Sequence, residues 1–204
     1  MVNDRKAAQL VLTLERPGYV RVRVSAACAR LLFHGCDPAY IATTCHASCC
    51  QSSTSKTGTL ITIHPSEQAA LEARGATVAG GLLQPRAGER RCPFKTAEHL
   101  CGLHGGPDKP WGCIASPFAL NKHGTLIVRH RYVVLKCYAD GPAPVPAYVA
   151  FRASLDLIFG AEEAGRICGH FAAGGGDLDG WAPEASYLRL AAGDTAKRQA
   201  AKGG

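Results

Sequence analysis

Two short runs near the N-terminus, residues 9–15 (QLVLTLE) and 19–25 (YVRVRVS), alternate apolar and polar side chains on either side of Arg16-Pro17-Gly18. A period of two interrupted by turn-forming residues predicts a β-hairpin with one buried face. Within the second run Val20, Val22 and Val24 share one face while Arg21 and Arg23 share the other, so the arginines are expected on a solvated strand surface. The pattern then changes. Residues 25–36 (SAACARLLFHGC) read as a short helix capped by Ser25 and ended by Gly35, with Cys28 as a small buried hydrophobe.

Further along, a polar stretch at 51–58 predicts a loop and TLITIH (59–64) a strand. Pro65 suits the first turn of a helix that Gly75 ends, with His64 and Glu67 as capping groups. Residues 76–91, rich in Gly, Pro and Arg, predict a surface excursion, and 91–118 a loop-rich block. TLIVRHRYVVL (125–135) is the longest β-like run and leads the chain to Cys137. After a Pro-rich connection at 141–148, Tyr148, Phe151, Leu155, Ile158 and Phe159 form one helical stripe, and a second helix follows over 161–173. Cys168 and His170 on that helix are two residues apart and point to different faces.

GGGDLDG (174–180) reads as a flexible loop; its aspartates do not open a calcium loop, because the twelfth position is Leu188. The elements add up to an α+β fold in one small domain spanning 1–190. It has an N-terminal β-hairpin, a loop-rich cysteine-cluster core over about 36–137 and two C-terminal helices. A basic tail, 191–204, is expected to be disordered.

Composition changes this picture at one point. Ten cysteines among 204 residues require either an oxidising compartment or a metal. The first twenty residues contain no secretory signal and the chain no apolar window long enough to span a membrane, so the expectation is a cytoplasmic protein with reduced thiols. The net charge of +7 permits an anionic partner, nucleic acid or an acidic protein surface in a larger assembly. The basic residues are scattered, however, and no aromatic stacking platform accompanies them.

The cysteines fall in two blocks. TCHASCC (44–50) supplies Cys45, His46, Cys49 and Cys50; residues 91–118 supply Cys92, Cys101, His104 and Cys113, and Cys137 follows. Thiolates are soft ligands that suit Zn²⁺, Cu(I) and iron–sulfur clusters, and four complete one site. Cys45, Cys49, Cys50, Cys92, Cys101 and Cys113 are the best set, with Cys137, His104, Cys36 and His46 in reserve. The surplus means either two metals or thiols with structural or redox roles. Adjacent Cys49 and Cys50 diverge in extended backbone, so one binds and the other packs, or they serve two irons. No ferredoxin run, zinc-finger pairing, nucleophile elbow or phosphate-binding loop is present.

Cys45-x3-Cys49-Cys50, Cys92-Pro93-Phe94, Cys101-Gly-Leu-His104, Lys109-Pro110-x2-Cys113 and Pro117-Phe118, taken in that order, resemble the YkgJ-type cysteine-cluster family of zinc- or iron-chelating proteins. The likeness covers about residues 45–118. It lacks the family's first cysteine, has x3 for x2 before Cys49, and carries His104, Lys109 and Ile114 where the family has tyrosine, arginine and arginine. The resemblance implies metal ligation by Cys49 or Cys50, Cys92, Cys101 and Cys113, and it defines no reaction. The expected function is a metal-binding protein holding zinc or an iron–sulfur cluster. The alternatives are an iron-dependent enzyme or its accessory partner, and a basic binding module.

Overall fold

The computed structural model describes residues 16–50, 61–139 and 143–192. The second alternating run forms strand β1 (Tyr19–Val24), with Val20, Val22 and Val24 buried and Arg21 and Arg23 outward, as the period of two requires. The first run, 9–15, lies outside the described residues. Strand β1 pairs along its whole length with a distant antiparallel strand, Leu178–Pro183, from Tyr19↔Pro183 to Val24↔Leu178. Three of the seven residues of the predicted 174–180 loop are therefore strand. Gly180 permits the close approach this needs: a Cβ there would stand 2.9 Å from Ile167 and 3.1 Å from Phe159. Asp177 and Asp179 face Arg23 and Arg21 across the pair at 3.4 and 4.0 Å.

Two other expectations shorten. The helix at 25–36 is one turn, α1 (Ala27–Arg30), because Leu31 turns extended and Leu32–Phe33 become strand β2. The Ala26 N–H donates to Asp177, and Ser25 Oγ accepts from the Ala27 N–H. Cys28 is fully buried, as expected, and burial pushes its thiol up to about 12. The long run at 125–135 is strand only over Leu126–Val128. Its antiparallel partner, Phe118–Leu120, has three residues, so pairing stops at Phe118↔Val128 and the chain winds into a 3-10 helix over His130–Val134.

In chain order the remaining elements are α2 (Pro38–Tyr40), α3 (Pro65–Ala73), β3 (Val78–Ala79), β4 (Leu82–Leu83), α4 (Trp111–Ala115), β5 (Phe118–Leu120) and β6 (Leu126–Val128). Then come β7 (Val145–Pro146), α5 (Ala147–Ala150), α6 (Arg152–Phe159), α7 (Ala161–Ala172) and β8 (Leu178–Pro183). Residues 184–192 are helical. The main sheet has the order β5-β6-β1-β8, and β2 pairs with β7. The fold is α+β. The predicted helical stripe is broken at Phe151, which separates α5 from α6 and turns edge-on to Phe33 at 5.2 Å. Leu155, Ile158 and Phe159 of α6 and Ile167 and Phe171 of α7 cover the sheet valines in one large core.

A second, smaller core gathers Ile61, Ile63, Leu71, Ala76, Leu83, Cys92 and Leu103. Helix α3 starts as the sequence predicts: Pro65 occupies the first turn, His64 accepts from the Ser66 N–H, and Glu67 Oε2 accepts from the His64 N–H at 2.9 Å. The other Glu67 oxygen accepts from the Trp111 N–H at 2.8 Å and pairs with Arg189 at 3.5 Å, clamping the two cores together. The 76–91 segment is no mere surface excursion. Gly80 and Gly81, both at positive φ, turn β3 into β4 and bury Leu82 and Leu83. Of the predicted strand 59–64, residues 59 and 60 lie outside the description, and Thr62 makes a single bridge to Leu82 between buried Ile61 and Ile63. Among the described residues no helix is long and apolar enough to cross a membrane.

Candidate metal centre

Three stretches of chain bring cysteines against the two cores. The first begins at Asp37, whose side chain caps α2 by accepting from the Tyr40 N–H at 2.9 Å. The helix widens into a π-turn, Ile41–Cys45, closed by the His46 N–H on Ile41 O at 2.8 Å. His46 and Ala47 then both take left-handed backbone (φ 50° and 46°), and Ser48–Cys50 form a 3-10 turn. A π-turn followed by two left-handed non-glycine residues is strained backbone of the kind that clusters at functional positions. It is held from outside. The buried Lys95 donates to His46 O, and Arg131 Nη2 donates to Cys49 O at 2.7 Å.

The second stretch follows from Cys92. Its N–H donates to Cys50 O at 2.9 Å, joining the two cysteine blocks through backbone. Lys95 bridges Cys101, and the Gly102 N–H returns to Phe94 O at 2.8 Å, so 92–102 folds back on itself. Cys113 sits in α4, whose Gly112 packs against the Thr62 carbonyl so closely that a Cβ would stand 2.7 Å from it. The third stretch brings in Cys137: its carbonyl accepts from the His34 N–H at 2.8 Å, and Tyr40 OH donates to Lys136 O at 2.9 Å.

The electrostatics of the thiols reflect this convergence. The Cys49 and Cys50 sulfurs lie 3.9 Å apart. The hydrogen bond from Cys50 lowers the Cys49 thiol against its burial, with help from Arg131 and Lys95; Cys50 is correspondingly pushed up. Burial, then the neighbouring Cys92 and Cys101 thiols, pushes Cys113 up, and burial followed by Cys101 raises Cys92 despite a backbone hydrogen bond from Phe94. Burial raises Cys137 to about 12, with Cys49, Cys36 and Cys45 adding to it. Cys36 is an exposed residue. Desolvation and then the Cys49 and Cys45 thiols raise it to about 11.

The structure thus brings Cys45, Cys49, Cys50, Cys92, Cys101, Cys113 and Cys137 into one neighbourhood, with Cys36 among them. Cys28 and Cys168 stand elsewhere: Cys28 is in the large core, and Cys168 on α7 is 3.8 Å from Tyr148 O. His104 is exposed, with Nδ1 3.3 Å from Lys109 Nζ, and His46 stacks on His99 with ring centroids 4.4 Å apart. Lys95, His99 and Arg131 are contributors that sequence reasoning missed. Only Lys95, inside Cys92-Pro-Phe-Lys95, carried a signal, since an ammonium beside clustered thiols favours thiolate. Among the described residues no three or more His, Cys, Asp or Glu side chains form a ready coordination sphere. The thiols are gathered but not closed around a point. No protein-family model matches the chain, and no match is found among curated proteins or among solved structures.

Proposed function

We propose that the protein binds a metal, as zinc or as an iron–sulfur cluster, through clustered cysteine thiolates, with Cys50, Cys92, Cys101 and Cys113 as one ligand set. The observation that carries this reading is shared packing: these four thiols lie in or against the same small core, and the Cys92 N–H to Cys50 carbonyl bond ties the two blocks that supply them. Four thiolates match the tetrahedral preference of zinc and the ligand count of a cubane cluster. The same four fall within the likeness to the YkgJ-type family.

The energetics point the same way. Seven buried side chains supply little hydrophobic stabilisation for a segment whose strands are two residues long. A metal that binds the folded form alone would add its binding free energy to the stability of that segment, releasing the thiol protons as it binds. The hydrogen bond with Cys49, then burial, raises Cys50, and burial with like neighbours raises Cys92 and Cys113 when no metal is present, so affinity should rise with pH as those protons become easier to displace.

Anaerobic purification, elemental analysis and a visible spectrum test the proposal. Zinc or iron at one or more equivalents per chain, lost in a Cys92→Ser, Cys113→Ser variant, is the expected result. A folded, colourless protein that carries no metal and takes up neither added Zn²⁺ nor iron with sulfide would overturn it.

A further inference from the structure

We propose that Cys49 and Cys50 are a reversible redox pair, which a hydroperoxide oxidises to a disulfide between adjacent residues, and that closing this bond withdraws Cys50 from the metal-binding set. Withdrawal of Cys50 rests on the ligand set of the proposed function; the pairing of the sulfurs does not.

Local backbone brings the two sulfurs together. Neighbouring side chains diverge in extended chain, but these two share the 3-10 turn Ser48–Cys50, and their sulfurs meet at 3.9 Å in a thiol–thiol hydrogen bond. The pair is anchored on both sides. The Cys50 N–H donates to Ala47 O and the Cys92 N–H to Cys50 O, each at 2.9 Å, while Arg131 Nη2 donates to Cys49 O at 2.7 Å. The left-handed His46 and Ala47 set the turn just before it. Cys28 and Cys92 are buried, whereas Cys49 and Cys50 are only half-buried, so the turn is not sealed from a molecule as small as hydrogen peroxide.

The chemistry balances on these two thiols and one peroxide. One sulfur attacks a peroxide oxygen, breaking the O–O bond, and becomes a sulfenic acid as a first water leaves. The other sulfur then attacks the sulfenic sulfur: an S–S bond forms, the S–O bond breaks, and the hydroxyl departs with the remaining thiol proton as a second water. The sulfurs lose two electrons and the peroxide gains them. A dithiol reverses the change by thiol–disulfide exchange.

Adjacency makes the product labile. Cα atoms across a trans peptide stand about 3.8 Å apart, below the roughly 4.4–6.8 Å over which disulfides ordinarily form. A bond strained in this way is readily reduced, which suits a switch better than a structural staple. Drawing the sulfurs in from 3.9 Å also turns the peptide whose carbonyl Arg131 holds, next to the Cys50 carbonyl that ties the two cysteine blocks. Metal and disulfide therefore compete for Cys50.

The test uses the full chain, reduced and loaded with Zn²⁺, treated with hydrogen peroxide, alkylated and peptide-mapped without reduction. The expected product is a peptide holding Cys49 and Cys50, unalkylated and two hydrogen atoms lighter, which dithiothreitol returns to two alkylatable thiols. Zinc release should keep step with this bond and reverse with it. Cys49→Ser should lose zinc to peroxide roughly tenfold more slowly than the wild type, the partner sulfur being gone. Linkage of Cys49 or Cys50 to any other cysteine, oxidation confined to other thiols, or no disulfide in the wild type overturns the redox pair, whether or not the variant folds. A Cys49–Cys50 disulfide that leaves zinc in place overturns the competition. A chain that takes up neither zinc nor iron with sulfide overturns the proposed function instead, and the same mapping on that chain still decides the redox pair.

Discussion

The large and the small core hold their chain segments by different means. In the large core, Val20, Val22 and Val24 of β1 meet Leu155, Ile158, Phe159 and Ile167 of α6 and α7, and the sheet pairs residues far apart in sequence. Each fully buried side chain of this kind contributes about 1.5–3 kcal/mol, and 23 buried residues share the work. Among the described residues the small core has seven, one of them a cysteine, and α3 as its only helix longer than one and a half turns. Its neighbours are thiols. A segment with so little apolar surface to hide needs another source of order, and the cysteines are concentrated where that need is greatest.

Metal removal should separate the two most strongly. If thiolate-bound metal organises the small core, chelation under reducing conditions removes on the order of 10 kcal/mol from that segment. Amide hydrogen exchange at 61–113 should then approach unfolded-chain rates while β1, α6 and α7 keep their protection. Equal loss of protection in both regions would break the distinction, because the large core would then depend on metal too.

Core truncations come next. Phe33, fully buried and edge-on to both Tyr138 and Phe151, should cost about 3–5 kcal/mol as Phe33→Ala. The loss should appear in denaturant unfolding whether or not metal is present. Leu71→Ala in the small core should cost about 2–5 kcal/mol, but excess Zn²⁺ should recover much of it, since a ligand of the folded form shifts the equilibrium by mass action. If zinc rescued both variants alike, the cores would not be independently supported.

A smaller effect is expected where β8 crosses the helices. Gly180→Ala pushes a methyl toward Ile167 and Phe159, and overpacking of that kind costs about 1–3 kcal/mol. Thermal melting of the metal-loaded protein should drop with metal content unchanged.

Local signals were legible in the sequence and long-range ones were not. The alternation of β1, the proline start and capping pair of α3, and the apolar faces of α6 and α7 are local patterns, and each appears as an element. The first half of strand β8, residues 178–180, reads as loop in the sequence, because Gly176, Asp177, Asp179 and Gly180 disfavour strand and only the waiting edge of β1 overrides them. The run at 125–135 failed in the opposite sense. Its alternation suits a long strand, but β5 offers three partners, so the rest coils. At the candidate site the residue types and their blocks were readable, including the joining of 45–50 to 92–113. The place of Cys36 was not, since its link to Cys137 runs through His34 and Tyr40, a hundred residues away in sequence. The left-handed pair His46-Ala47 carries little warning either: histidine is enriched at positive φ only against an uncommon background, and alanine is not enriched.

The smallest expected effect tests whether the large core is indifferent to the thiol chemistry. Glu163 of α7 accepts the Trp181 N–H at 2.8 Å and pairs with Arg166 at 2.7 Å, fastening β8 to the helix. The Arg166 guanidinium, followed by that backbone bond, holds its carboxyl below the ordinary 4.5. A depressed acid contributes its stability in full above the unfolded value and loses it as pH falls through the folded one. Glu163→Gln should therefore cost about 1 kcal/mol near neutral pH, allowing for solvent screening of the pair. The gap to wild type should close as the pH is lowered below about 4. Urea midpoints of both proteins across that range, each with its metal content, check the sign. A gap that widens in acid would contradict the assignment of Glu163 as the ionised partner. A change in metal content would show that β8 and the cysteine blocks are coupled after all.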